Sequence, residues 1–85
     1  MLEYRYDVQL LIDRTHTDLD RRAMIEHFDT VFRGDSLLIV GDEKLIKVHF
    51  HTNEPWFVLE YCASLGEIYD IIVEDMERQS NGLKG

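Results

Sequence analysis

Residues 44–52, KLIKVHFHT, form the stretch that decides the fold. Apolar and polar side chains alternate through it: Ile46, Val48 and Phe50 are apolar, and Lys47, His49 and His51 are not. This period of two is typical of a β-strand with one buried face and one exposed face. The turn residues GDE at 41–43 join it to an apolar stretch, SLLIV, at 36–40. Together the two stretches predict a β-hairpin.

A strand and a helix are predicted before this hairpin. Residues 4–12, YRYDVQLLI, alternate in the same way and predict a first strand. Thr17, with Asp20 three positions later, predicts a helix start of the capping-box type. The apolar stripe of this helix runs to about Phe32, and Gly34 is expected to end it.

A second helix and a fourth strand are predicted after the hairpin. Asn53 is the expected cap of the helix, Pro55 lies in its first turn and Gly66 follows its end. Residues 67–76, EIYDIIVEDM, predict the last strand. The order β-α-β-β-α-β favours an α+β, ferredoxin-like plait, with a four-stranded antiparallel sheet and both helices on one face. Residues 1–76 are then one domain, and residues 77–85 are expected to be a polar C-terminal tail.

Composition narrows the classes of function. The chain has 85 residues with 17 acids and 9 bases, a formal charge of −8, which argues against binding to nucleic acid or to an anionic membrane surface. Cys62 is the one cysteine, so no intrachain disulfide can form, and a cytoplasmic location is expected. No apolar run approaches the ~20 residues of a membrane span, so membrane insertion is not expected.

Three side chains are expected to meet on the helix-free face of the sheet. His49 and His51 point to the same side of their strand, and Asp7 points outward from the first strand. In a ferredoxin-like plait these two strands are neighbours. Two imidazoles and one carboxylate suit zinc or another divalent metal. The alternative is that the histidines are simply solvated residues on the exposed face of the sheet.

The same face is expected to carry apolar surface. Leu11, Leu38 and Val40 would lie beside the histidines, and a sheet face of this kind is commonly covered by a second copy or another domain. A homodimer through this face is therefore predicted. Trp56 and Phe57 cannot both face the core, so they are candidate partner contacts. A slightly larger core is the alternative explanation of these apolar residues.

Nearly the whole chain resembles the middle domain of bacterial fatty acid kinase A subunits, which are dihydroxyacetone-kinase-like (DAK family) proteins. That family has a Y-x-Y-C strand, a GDS strand with a GD turn, a K-V-H-x-H-T strand and an N-x-P–V-L-E-Y helix. The corresponding residues here begin with YRYD at 4–7 and continue at 34–36, 41–42, 47–52, 55, 58–61 and 75–79.

The resemblance implies a three-domain kinase subunit. In such a protein ATP and magnesium would bind a separate, DhaL-like domain, a third domain would engage a fatty-acid-carrying protein, and the middle domain would hold zinc and help to pair subunits. The implied zinc ligands are His49, His51 and the cysteine of Y-x-Y-C. This chain has Asp7 at that cysteine position, which replaces a soft thiolate by a hard carboxylate.

The chain is therefore predicted to be a non-catalytic metal-binding and dimerisation domain of a fatty-acid-kinase-like subunit. The first alternative is a regulatory module that senses a small molecule, an analogy based on the fold alone. The second is a small metal-dependent hydrolase that uses Asp7, His49 and His51, although no general base is evident in the sequence.

Overall fold

The computed structural model describes residues 2–85 and confirms the predicted order of strands and helices. One antiparallel sheet has the order β2-β3-β1-β4, and its strands are β1 (Tyr6–Asp13), β2 (Gly34–Gly41), β3 (Leu45–Thr52) and β4 (Ile68–Asp75). The helices of the described chain are α1 (Arg21–Val31), α2 (Pro55–Leu65) and a short α3 (Met76–Ser80). This is the α+β, ferredoxin-like architecture, with β1 and β3 at the centre of the sheet.

One hydrophobic core joins the sheet to α1 and α2. Each central strand contributes every second residue to it: Val8, Leu10 and Ile12 come from β1, and Ile46, Val48 and Phe50 come from β3. Met24 and Phe28 enter from α1, and Val58 and Cys62 enter from α2. Cys62 is fully buried, as predicted, and burial raises the pKa of its thiol to about 12. The alternation of the strands thus decides which residues lie on the face opposite the helices.

Both predicted helix caps are wrong, for different reasons. The N-cap of α1 is Asp20 rather than Thr17, and its Oδ1 accepts hydrogen bonds from the backbone N–H groups of Arg22 at 2.9 Å and Ala23 at 3.3 Å. Asn53 does not cap α2, because its side-chain amide is used across the fold instead. It accepts from the Arg5 backbone N–H at 2.7 Å and donates to the Glu3 carbonyl at 3.0 Å.

The segment predicted as a polar tail begins with helix α3. Asp75 at the end of β4 caps this helix by accepting from the Arg78 backbone N–H at 3.0 Å. The same carboxylate pairs with Arg5, whose Nη2 lies 2.7 Å from Asp75 Oδ2. The Arg5 guanidinium holds the pKa of Asp75 below its usual value, mainly through this hydrogen bond. The residues after β4 are therefore anchored to the start of β1. No helix among residues 2–85 has the length and apolar character needed to cross a membrane.

The face of the sheet opposite α1 and α2, here called the open face, is organised in three rows across the four strands. The registers of β2, β3, β1 and β4 define them. The first row is Asp35, His51, Asp7 and Glu74; the second is Leu38, His49, Gln9 and Ile72; the third is Val40, Lys47, Leu11 and Tyr69. Polar side chains dominate the first row, and apolar side chains lie at both ends of the second and third rows.

Candidate metal centre

Asp7, His49 and His51 converge in the first and second rows of the open face. His49 Nε2 lies 3.0 Å from Asp7 Oδ1, and His51 Nε2 lies 3.7 Å from the same oxygen. The three potential ligand atoms all lie within 4.8 Å of one another. Each side chain is partly buried, between 19% and 25% exposed. The structure thus brings together the three residues that strand alternation and strand adjacency predicted.

The Asp7 carboxylate has one oxygen that its surroundings do not satisfy. Oδ2 accepts a hydrogen bond from Gln9 Nε2 at 3.3 Å. Oδ1 is buried and has no hydrogen-bond partner among the described residues, although His49 Nε2 is only 3.0 Å away. Distance alone does not make a hydrogen bond, because an N–H must also point at the acceptor. Buried polar atoms are nearly always paired, so this oxygen requires an explanation.

The donor set and its spacing fit a divalent metal ion. Zinc binds imidazole nitrogen and carboxylate oxygen at about 2.1 Å, so two such ligands of one tetrahedral ion lie ~3.4 Å apart. The two separations to Asp7 Oδ1, 3.0 Å and 3.7 Å, bracket that value. An ion bound by the three residues would pair Oδ1 and keep at least one further coordination position. Two histidines and one carboxylate also form the ligand set of many iron(II) sites.

Three neighbours of the cluster were not predicted. Gln9 could have been found, because it follows Asp7 by two positions on an alternating strand. Asp35 and Ser36 of β2 could not, because their position depends on the register of β2 against β3. Asp35 Oδ1 lies 3.6 Å from His51 Nδ1, and the Ser36 carbonyl oxygen lies 3.0 Å from His49 Nδ1.

The predicted partner-contact residues lie in two separate places. Leu11, Leu38 and Val40 share the open face with the cluster, where Leu38 is 47% exposed and Val40 is 39% exposed. Trp56 and Phe57 lie in the first turn of α2, and both are exposed. Neither aromatic residue joins the core, whereas the sequence argument excluded only that both did. Contact of these five residues with a partner stays a prediction.

A groove of about 550 Å³ lies between α1 and α2, on the opposite side of the molecule from the cluster. One wall is formed by His27 and Tyr61, whose rings stack with centroids 3.8 Å apart. Phe57 lines another part of it, and the carboxylates of Glu54 and Glu60 lie at its margin. His27, expected on the solvated side of α1, is therefore only partly exposed.

Residues 3–83 match the family of FakA-like middle domains, which are the middle domains of fatty acid kinase A-like subunits. Protein YloV of Bacillus subtilis is 35% identical over 77 residues, which are 91% of this chain and 14% of that protein. Protein SH1689 of Staphylococcus haemolyticus is 33% identical over 81 residues, 92% of this chain and 14% of its own length. Protein SSP1546 of Staphylococcus saprophyticus is 46% identical over a shorter stretch of 46 residues, 54% of this chain and 8% of its own length. This chain thus spans about a seventh of the length of YloV, and it belongs to the FakA-like middle-domain family of fatty acid kinases.

Proposed function

We propose that this chain is a non-catalytic, metal-holding and dimerising middle domain of a cytoplasmic, fatty-acid-kinase-like subunit. The family supports the kinase-subunit context. The observation that carries the metal-holding role is the unpaired, buried Oδ1 of Asp7, which faces the Nε2 atoms of His49 and His51. The sequence contains no G-x-x-x-x-G-K-[ST] and no G-x-G-x-x-G motif. Binding of ATP and magnesium is accordingly assigned to a separate DhaL-like domain of a longer protein.

The role of the metal in this proposal is structural. A zinc or similar divalent ion would supply a cross-link between the two central strands, because Asp7 belongs to β1 and both histidines belong to β3. Gln9 orients the Asp7 carboxylate by donating to Oδ2, which leaves Oδ1 directed at the histidines. The negative charge of Asp7 balances part of the charge of a divalent ion.

The dimerising role rests on the apolar part of the open face. Leu38, Ile72 and Val40 are exposed there, and their exposed fractions lie between 39% and 47%. Apolar surface of this kind on one face of a sheet is favourably buried by a second copy. The fatty-acid-carrying protein would contact another domain of the longer protein, so the open face would remain available for pairing.

Metal analysis of the purified protein tests the metal-holding role. We expect about one divalent ion per chain in the wild type, and loss of that ion in His49→Ala and in His51→Ala. His16→Ala is the matched control, because His16 is an exposed histidine in the loop before α1. A wild-type protein that binds no divalent ion, or a metal content that both cluster variants retain, contradicts the proposed metal site.

Sedimentation at several protein concentrations tests the dimer separately. Leu38→Glu adds a charge to the open face, whereas Val31→Glu adds the same charge on α1, where Val31 is 60% exposed. We expect the first substitution to weaken self-association and the second to leave it unchanged. A wild type that is monomeric at every concentration rejects pairing through the open face, and the metal-holding role is judged independently.

A second candidate function is the sensing of a small molecule, which the groove between α1 and α2 favours. Its volume, about 550 Å³, falls within the usual range for small-molecule sites, and its stacked His27 and Tyr61 offer a flat wall to a planar ligand. Screening of a metabolite library by thermal shift tests this function. A hit whose stabilising effect disappears in Tyr61→Ala, but persists in His49→Ala, would support it.

A further inference from the structure

A β-bulge in β2 lies directly beside the metal cluster. The pairing of β2 with β3 shifts register between Asp35 and Leu38. Within the bulge, Ser36 has a φ of 56°, which lies in the left-handed region that few residues other than glycine adopt. Bulges next to functional sites commonly redirect a group toward the site. The group redirected here is the carbonyl of Ser36, whose oxygen reaches His49.

The bulge brings one acceptor to each histidine, on the side away from Asp7. The Ser36 carbonyl oxygen lies 3.0 Å from His49 Nδ1, and Asp35 Oδ1 lies 3.6 Å from His51 Nδ1. A carbonyl oxygen can only accept, so His49 Nδ1 must carry the hydrogen in this contact. In a neutral imidazole the other nitrogen, Nε2, then has a free lone pair. Both Nε2 atoms are the ones that face Asp7.

The backbone beside the bulge has little room to move. A side chain at Gly34 would overlap the carbonyl oxygen of His51 and the ring of Phe50, so β2 lies unusually close to β3 at this point. The close approach begins one residue before Asp35 and fixes the start of the bulge. Asp35 itself is 57% exposed, so its side chain can be changed without opening the core.

We propose that Asp35 and the backbone of Ser36 are positioning groups that hold His51 and His49 in the tautomer with hydrogen on Nδ1, leaving both Nε2 atoms free to bind a metal. Histidine ligands of metals generally donate their second N–H to a carbonyl or carboxylate, and this partner fixes ring orientation. The inference rests on the proposed metal-holding function, but it concerns the protein before any ion binds. It assigns a role to the GD-S segment of β2 that is separate from strand pairing.

The tautomers of metal-free protein can be read by two-dimensional ¹⁵N–¹H NMR of the imidazole rings. We expect both His49 and His51 to carry hydrogen on Nδ1 in the wild type. In Asp35→Ala, His51 should shift toward the tautomer with hydrogen on Nε2, while His49, held by a backbone carbonyl, should not change. Asp35→Asn should restore the wild-type pattern in large part, because its amide oxygen can still accept from Nδ1.

Zinc affinity, measured by competition with a chromophoric chelator, supplies the second readout. Loss of such an outer partner typically weakens metal binding 10- to 100-fold, and we expect a decrease of about this size in Asp35→Ala. Asp29→Asn on α1 and Ser36→Gly are the matched controls. The first changes an exposed carboxylate elsewhere, and the second keeps the carbonyl and tolerates the positive φ.

The outcomes separate the two proposals. An unchanged His51 tautomer and unchanged zinc affinity in Asp35→Ala overturn the positioning role, as does a wild-type His49 with hydrogen on Nε2. Tautomers that behave as expected in a protein that binds no zinc support the positioning role and overturn the proposed metal-holding function. Backbone amide spectra of each variant establish that it is folded before either readout is compared.

Discussion

Replacing Asp7 by asparagine should stabilise the metal-free protein, although Asp7 is a proposed metal ligand. In the absence of an ion, Oδ1 is a buried acceptor without a partner, and it faces the lone pair of His49 Nε2 at 3.0 Å. Asparagine has nearly the same shape and can place its NH₂ group at this position. Its oxygen can still accept from Gln9, which now donates to Oδ2. Asp7→Asn therefore exchanges two opposed acceptors for a donor and an acceptor.

The size of the effect follows from these contacts. An unsatisfied buried polar group costs roughly 1–3 kcal/mol, and a new hydrogen bond contributes about 0.5–1.5 kcal/mol. Because the Asp7 side chain is still 19% exposed, the lower part of this range applies, and we expect a gain of about 1–2 kcal/mol in the free energy of unfolding. In a domain of this size each kcal/mol raises Tm by roughly 4–8 °C.

Thermal and urea unfolding in excess chelator measure this gain. Asp29→Asn on α1 is the control, since it also lowers the net negative charge by one and any general charge effect appears in both variants. With zinc at 100 times the Kd of the wild type, binding adds about 2.7 kcal/mol to the wild type, so the order of stabilities should reverse. A metal-free Asp7→Asn protein that is no more stable than Asp29→Asn refutes the assignment of Oδ1 as an unsatisfied acceptor.

Three further outcomes are expected. Phe28→Ala should lower the free energy of unfolding by roughly 3–5 kcal/mol in urea titrations, whereas Val31→Ala, at an exposed position, should change it by less than about 0.5 kcal/mol; similar losses would contradict the assigned core. The lowered pKa of Asp75 stabilises the fold above the unfolded value of about 3.9 and ceases to do so as pH falls through the folded value, so Arg5→Gln should be more destabilising at pH 7 than at pH 2.5, and an equal loss at both would reject the pairing. Because burial raises the pKa of the Cys62 thiol to about 12, native protein at pH 8 should react with a disulfide reagent far more slowly than protein in urea, and fast native reaction would show that the thiol is accessible.

The architecture and the three cluster residues could be predicted because both depend on simple periodicities. Alternation placed His49 and His51 on one side of β3, and the β-α-β-β-α-β order placed β1 beside it. The observed register pairs Asp7 directly with His51. One residue of slippage would have turned the histidines into the core, so the strong apolar pattern of Ile46, Val48 and Phe50 also fixed the site.

Features that depend on backbone irregularity or on competition between groups could not be predicted. The bulge at Ser36 leaves no trace in an alternating pattern, because it adds a residue to β2 only in relation to β3. Thr17 and Asp20 are both good capping residues, and sequence does not say which one lies at the helix start. Asn53 has the same ambiguity, since its partners, Glu3 and Arg5, are distant in sequence. The helix after Asp75 was missed because a short capped turn resembles a polar tail in composition.

The bond between the Met76 N–H and the Arg5 carbonyl, 2.9 Å long, has a mechanical consequence. Because β1 and β4 are antiparallel, a longer chain would enter the domain beside Arg5 and leave it beside Met76, at the same end of the sheet. A pull from flanking domains would therefore part β1 from β4 like a zip, one rung at a time, rather than shear all rungs at once. Asp7 lies one residue beyond the first of these rungs, Tyr6 with Asp75. An ion that joins Asp7 to β3 would stiffen the domain at the point where such a load arrives.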